Sequence, residues 1–223
     1  MAHHLPWATE TALGPSACFG NRVFQALPPA LWRQIEDSLA TDRELRHHSS
    51  RLGALAHLVG RLAGRTDSGW LAKLAEAAVL HDIGKLRLDA AILGKTGPLT
   101  DADKAHVRDH GPLGAEMLVA FGGEGFGIAT LVARHHHETY DGSGYPDGLA
   151  GGAVPEEARI VALCDVYDAL RTPRAYKSSF DHAHTMTIMT KGDGRTKPEH
   201  FDPHLLRLFV QHSSEIEALY EAA

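Results

Sequence analysis

An all-α fold is what this 223-residue chain predicts, on two observations. Apolar residues recur at steps of three and four along most of its length, and nowhere do strand-like runs alternate with helical ones. A third observation bears on function. Ionisable side chains stand at positions that the same period assigns to the core.

The elements follow in order. Residues 1–28 carry Pro6, Gly14, Pro15, Gly20 and Pro28 without a sustained period and read as an irregular arm. From Leu31 the period is helical, and Glu44, His48, Leu52, Leu55, Val59 and Leu62 line one face. A helix over about 70–82 repeats the pattern with Leu71, Leu74, Ala75, Ala78 and Asp82. Residues 85–100, directly after Gly84, hold Gly94, Gly97 and Pro98 and read mostly as loop. Thr100 before Asp101 and Asp103 is an N-cap with acids in the first turn. That helix should break near Gly111-Pro112, with further helices at about 112–121 and 124–137. A glycine-rich loop spans 141–152, and Pro155-Glu156-Glu157 opens a strongly apolar helix that nonetheless holds Asp165 and Asp168. A loop over 172–180, a short helix, a glycine loop at 192–194 and a last helix from about Pro203 complete the chain. The organisation expected is an N-terminal extension with one helix over 1–40 and a single helical domain over 41–223.

Composition narrows the function. Twenty-two basic against 28 acidic side chains give a net charge of −6, which argues against general nucleic-acid binding but not against one phosphorylated ligand in a local cationic patch. No uncharged apolar run reaches the roughly 18 residues that a membrane helix needs. Met1-Ala2-His3-His4 lacks the basic-then-apolar layout of a signal peptide, so a cytoplasmic protein without a membrane partner is expected. Two cysteines, Cys18 and Cys164, make neither a disulfide framework nor a zinc ribbon, and Cys164 reads as a small buried apolar residue. Sixteen histidines are the unusual feature, histidine being the commonest metal ligand.

His48, Asp82, His110 and Asp165 each fall on an apolar helix face, and His135-His136-His137 closes a helix. Any one of them alone reads as a satisfied core polar group. Together, histidines and carboxylates on successive helices suit a metal site in a bundle core, because buried carboxylates must be paired, protonated or coordinated. Nitrogen and oxygen donors without thiolate favour iron, manganese or another divalent ion over structural zinc.

His81-Asp82-Ile83-Gly84-Lys85, followed at a distance by His136-His137-Glu138 and Asp141-Gly142-Ser143-Gly144-Tyr145-Pro146, resembles the HD-GYP domain, the branch of the HD phosphohydrolase superfamily that degrades cyclic dinucleotides. The likeness runs from about Glu44 to Val210 and includes Gly94-Lys95-Thr96-Gly97-Pro98, Ala158-Arg159-Ile160-Val161 and His200-Phe201-Asp202-Pro203. It implies an HD-type helical bundle with the metal site in its core. Its metal ligands would fall on His48, His81, Asp82, His110, His136, His137 and Asp165, with Asp82 bridging two ions. Some members add a third ion through a glutamate four residues before the first histidine, here Glu44; the plain alternative for Glu44 is a solvated salt bridge with Arg43 or Arg46. Lys85 matches the lysine on the scissile phosphate, and Arg174 and Lys177 match the basic pair that grips the ligand's phosphates. Ala175 and Gly111 stand where the family often has proline, and neither change removes a contacting group.

The resemblance implies a cyclic di-GMP phosphodiesterase using two or three iron or manganese ions, with Asp82 and Lys85 as its catalytic residues. A metal-bridging hydroxide would attack the phosphorus, yielding pGpG, with further cleavage to GMP left open. The alternatives are a sensor of cyclic dinucleotides with little turnover, a module docking onto GGDEF domains through the Gly-Tyr-Pro loop, or a hydrolase of mixed cyclic GMP-AMP. Oligomeric state stays open. His135 reads as a supporting or surface residue, and His3, His4, His47, His182, His184 and His212 as solvated.

Overall fold

The computed structural model describes residues 43–122, 126–173 and 179–222, together with Pro29, Arg33, Gln34, Ile35 and Asp37. Most of the expected N-terminal extension, and Arg174 and Lys177 of the expected phosphate grip, lie outside the described residues. What is described is helical, with no strand among the described residues. In chain order the helices are α1 (Arg43–Leu62), α2 (Ser68–Leu80), the single turn α3 (Ala90–Leu93), α4 (Asp101–Arg108), α5 (His110–Gly122), α6 (Gly127–His135), α7 (Glu156–Arg171), α8 (His182–Lys191), α9 (Pro203–Gln211) and α10 (Ser213–Ala222). Short 3₁₀ turns at Ile83–Arg87, Gly151–Ala153 and Pro198–His200 join them.

The core forms where α1 packs against α2 and α7, and α6 against α2, α5 and α7. Leu52, Leu55 and Val59 on α1, Leu74 and Ala78 on α2, Val132 on α6 and Ile160 and Leu163 on α7 are almost wholly enclosed there. Each fully buried aliphatic side chain of this kind contributes about 1.5–3 kcal/mol. Cys164 is completely buried, as its apolar neighbours require. Thr100 caps α4 as its sequence demands: its hydroxyl accepts from the Asp103 amide, and the Asp103 carboxylate accepts from the Thr100 amide. No helix among the described residues is long and apolar enough to cross a membrane.

Four boundaries differ from those expected. Helix α2 stops at Leu80, so Asp82 does not continue its apolar face but opens a 3₁₀ turn with φ −97° and ψ 9°. Packing decides this: a Cβ on Gly84 would stand 1.9 Å from the His110 carbonyl oxygen, so the turn lies directly against the start of α5. The break before α5 comes at Asp109 rather than at Gly111-Pro112, and Pro112 sits in the first turn, where its missing N–H costs nothing. Helix α6 ends at His135, with His136 as its C-cap. The last expected helix divides at His212 into α9 and α10.

Candidate metal centre

Histidines from four segments converge on Asp82. His48 comes from α1, His81 from the end of α2, His110 from the start of α5, and His136 and His137 from the turn after α6. The early end of α6 matters, because a continuing helix would rotate adjacent side chains about 100° apart, whereas the His136 and His137 rings lie 4.1 Å apart between centroids.

Two donor groups result. His48, His81 and Asp165 hold ligand atoms within 4.8 Å of one another, and so do His110, His136 and His137. Asp82 stands between them and forms a third such group with His81 and His136, one histidine from each. Its Oδ2 is 3.2 Å from His81 Nε2, and its Oδ1 is 3.3 Å from His110 Nε2 and 3.9 Å from His136 Nε2. His48 Nε2 is 3.9 Å from Asp165 Oδ1. One carboxylate thus offers one oxygen to each group.

The backbone aims the rings. Nδ1 of His81 is 2.7 Å from the Ala78 carbonyl, that of His110 is 2.6 Å from Val107 O, and that of His136 is 3.0 Å from Val132 O. Each Nδ1 therefore donates its proton to a carbonyl, which leaves Nε2 as the ring atom that faces Asp82. His48 is aimed differently, its Nδ1 2.8 Å from Asp168 Oδ2.

Asp168 had appeared in the sequence only as a charge inside an apolar helix. It is 1% exposed and also accepts from Arg51 Nε at 2.5 Å, while Arg51 Nη2 donates to Thr172 Oγ1 and to Glu44 Oε1, both at 3.0 Å. Burial disfavours charge at Asp168, but hydrogen bonds from His48 and Arg51 outweigh it and hold the carboxyl below its ordinary range. The signal for this network was the spacing: Arg51 follows His48 by three residues, and Asp168 follows Asp165 by three, so each site residue has a helical neighbour facing the same way. Glu44 takes part in this network through one oxygen. Its carboxylate pairs with Arg51 rather than with Arg43 or Arg46, and it joins neither donor group.

Glu138 fixes the Gly-Tyr-Pro loop beside the centre. It is 3% exposed and accepts from the Asp147 and Leu149 amides at 2.7 and 3.1 Å. A Cβ on Gly144 would stand 2.4 Å from the Thr139 amide nitrogen, so only glycine lets the loop fold back this far. Tyr145 then stacks on His137 at 4.8 Å, with the Arg108 guanidinium 5.0 Å from its ring centroid. Lys85 stands at the rim, with its side chain 45% exposed and its ammonium paired to Asp82. His182, expected in solvent, is instead buried between the Tyr167 hydroxyl and Ser213 Oγ, at 2.7 and 2.6 Å.

The electrostatics suit cation binding. Burial, reinforced by neighbouring rings, pushes His136 down to about 4 and His137 to about 2, so both present neutral donors. Burial works against charge at Asp82 too, but His81, Lys85 and His136 hold its carboxyl well below the usual range. At His81 burial is likewise outweighed, and Asp82 raises the ring to about 9.

The family model of the HD domain matches residues 33–205, the region that contains every donor just described. The chain belongs to the HD-domain family. Over 169 residues, 76% of its length, this HD domain is 35% identical to the cyclic di-GMP phosphodiesterase response regulator RpfG of Xanthomonas campestris, of which that region is 43%. It is 42% identical over 135 residues (60% of the chain, 31% of the relative) to a cyclic di-GMP phosphodiesterase of Pseudomonas aeruginosa. Over 184 residues (81% and 34%) it is 34% identical to a 3′3′-cGAMP-specific phosphodiesterase of Vibrio cholerae. The chain thus spans less than half the length of these relatives. Family and side-chain groups agree on divalent-metal binding.

A pH dependence follows for this HD domain. With no cation bound, His81 keeps its proton below about pH 9 through Asp82, and a metal that took His81 as a ligand would have to displace that proton. Affinity for Mn²⁺ should therefore rise between pH 6 and 8, by up to about tenfold per pH unit, with proton release. Calorimetric titration in buffers of different ionisation enthalpy measures both. A flat affinity without proton release would contradict the assignment of His81.

Proposed function

We propose that this chain is a metal-dependent phosphodiesterase that hydrolyses cyclic di-GMP to pGpG and then GMP. The observation that carries the reading is the division of the Asp82 carboxylate between two donor groups. In this reading His48, His81 and Asp165 would hold one ion, His110, His136 and His137 would hold the second, and Asp82 would contribute an oxygen to each. Iron or manganese suits this nitrogen and oxygen set. The Arg51 pairing of Glu44 favours two ions at this centre over three. Bound there, the ions would activate a water and stabilise charge on the phosphoryl oxygens.

The chain's own groups supply the rest. Lys85, at the rim beside Asp82, is placed to meet a non-bridging phosphoryl oxygen as negative charge builds on it. Tyr145 on His137 covers one side of the centre and limits water there. Arg174 and Lys177 are assigned to the outer phosphates from the sequence likeness. Residues 41–223 form the catalytic unit, placed in the cytoplasm. The exposed Asp147 and Gly148 at the tip of the Gly-Tyr-Pro loop are the surface assigned to a GGDEF partner. The relatives' names support cyclic di-GMP, with cyclic GMP-AMP as the competing substrate.

The test pairs the metal content of anaerobically purified protein with product analysis on both dinucleotides. Two iron or manganese ions per chain, with guanylate products formed faster from cyclic di-GMP, are expected. Metal-loaded protein that binds the dinucleotide and leaves it intact would make the chain a sensor.

A further inference from the structure

A second group of donors lies on the far side of the histidine turn. His135, at the end of α6, Glu138 and Asp147 bring ligand atoms within 4.8 Å of one another. The decisive feature is His135. The residue is 9% exposed, and its Nδ1 is fully enclosed without a hydrogen-bond partner. Buried polar atoms of this kind are rare in folded proteins and cost about 1–3 kcal/mol when left unsatisfied. This atom faces Asp147 Oδ2 at 3.5 Å, too far for a good hydrogen bond. Two ligands of a tetrahedral zinc ion, each at about 2.0–2.2 Å from the metal, stand roughly 3.4 Å apart.

The carboxylates have capacity left. Arg134 donates to both oxygens of Asp147, at 2.8 and 2.7 Å, and one backbone amide donates to each oxygen of Glu138. Each carboxylate offers about four acceptor positions, so half remain free. Two carboxylates against one guanidinium leave the neighbourhood with one net negative charge. The Asp147 side chain is 32% exposed, which leaves the group open to solvent.

We propose that His135, Glu138 and Asp147 form a further divalent-cation site that accepts Zn²⁺, separate from the Asp82 centre, and that ties the Gly-Tyr-Pro loop to the end of α6. His135 supplies Nδ1, the two acids supply one oxygen each, and water completes the tetrahedron. His135, expected to serve only as a supporting or surface residue, becomes a ligand.

The experiment counts Zn²⁺ retained per chain after saturation with Zn²⁺ and removal of the free ion. His135→Ala and Asp147→Asn should each hold one equivalent fewer than the parent. Arg134→Ala, which removes the competing cation and leaves the ligands, should keep the parent's count. An Asp82→Ala background should still lose one equivalent on Asp147→Asn, which separates this site from the phosphodiesterase centre. Zn²⁺ should also slow proteolysis within residues 141–152 in the parent and not in Asp147→Asn. Equal counts in the parent and both ligand variants would overturn the proposal. So would an equal loss in Arg134→Ala, because loop folding rather than ligation would then set the count.

Discussion

Asp82→Ala is expected to lower turnover of cyclic di-GMP by about three orders of magnitude or more, with helical content unchanged. The side chain reaches both donor sets, with one oxygen near His81 and the other near His110. On the proposed reading, its removal would take away the ligand shared by the two ions. At about 1.4 kcal/mol per tenfold in rate, a thousandfold loss corresponds to about 4 kcal/mol of transition-state stabilisation, within what two correctly placed cations supply. The fold should survive, because Asp82 lies outside α2 in a short turn and caps no helix with its side chain. Circular dichroism and product formation at saturating Mn²⁺ measure the two halves. Near-parental turnover would remove the bridging role and the mechanism with it.

Gly84→Ala should damage the same centre through the backbone. An added methyl would stand 1.9 Å from the His110 carbonyl oxygen and 2.6 Å from the Gly114 amide nitrogen. Both atoms belong to helix backbone, so no flexible side chain can yield. The 3₁₀ turn and the start of α5 must separate, carrying Asp82 away from His110. Overpacking of this severity costs about 3 kcal/mol, which corresponds to a Tm lower by roughly 6–12 °C for a domain of this size. Gly97→Ala is the control, because a methyl there meets nothing within 4 Å. Differential scanning calorimetry on the metal-free forms should separate the two variants. A parental Tm for Gly84→Ala would show that the turn is free to move off α5.

The helices were legible from period and punctuation wherever the stop signals were local. Thr100 with Asp103 marked the start of α4, and Gly192 marked the end of α8. The stops after Leu80 and His135 were not legible, because no glycine or proline stands at either position. Contacts distant in sequence end those helices: Gly84 pressed against His110, and the loop held by Glu138 beside His137. The ligand candidates were named because they are ionisable residues on apolar faces in a recognisable motif. Arg51 and Asp168, 117 residues apart, belong to no such motif and meet only when α1 packs on α7.

The sequence by itself determined the helical class, the helix faces that form the core and the set of residues able to bind a cation. These depend on period and side-chain chemistry, which are local. Tertiary structure decided how that set divides: which histidines share an Asp82 oxygen, why Glu44 turns to Arg51, and why His135 is enclosed with an unpaired nitrogen. Those outcomes depend on distances between side chains on different helices, and only packing sets such distances.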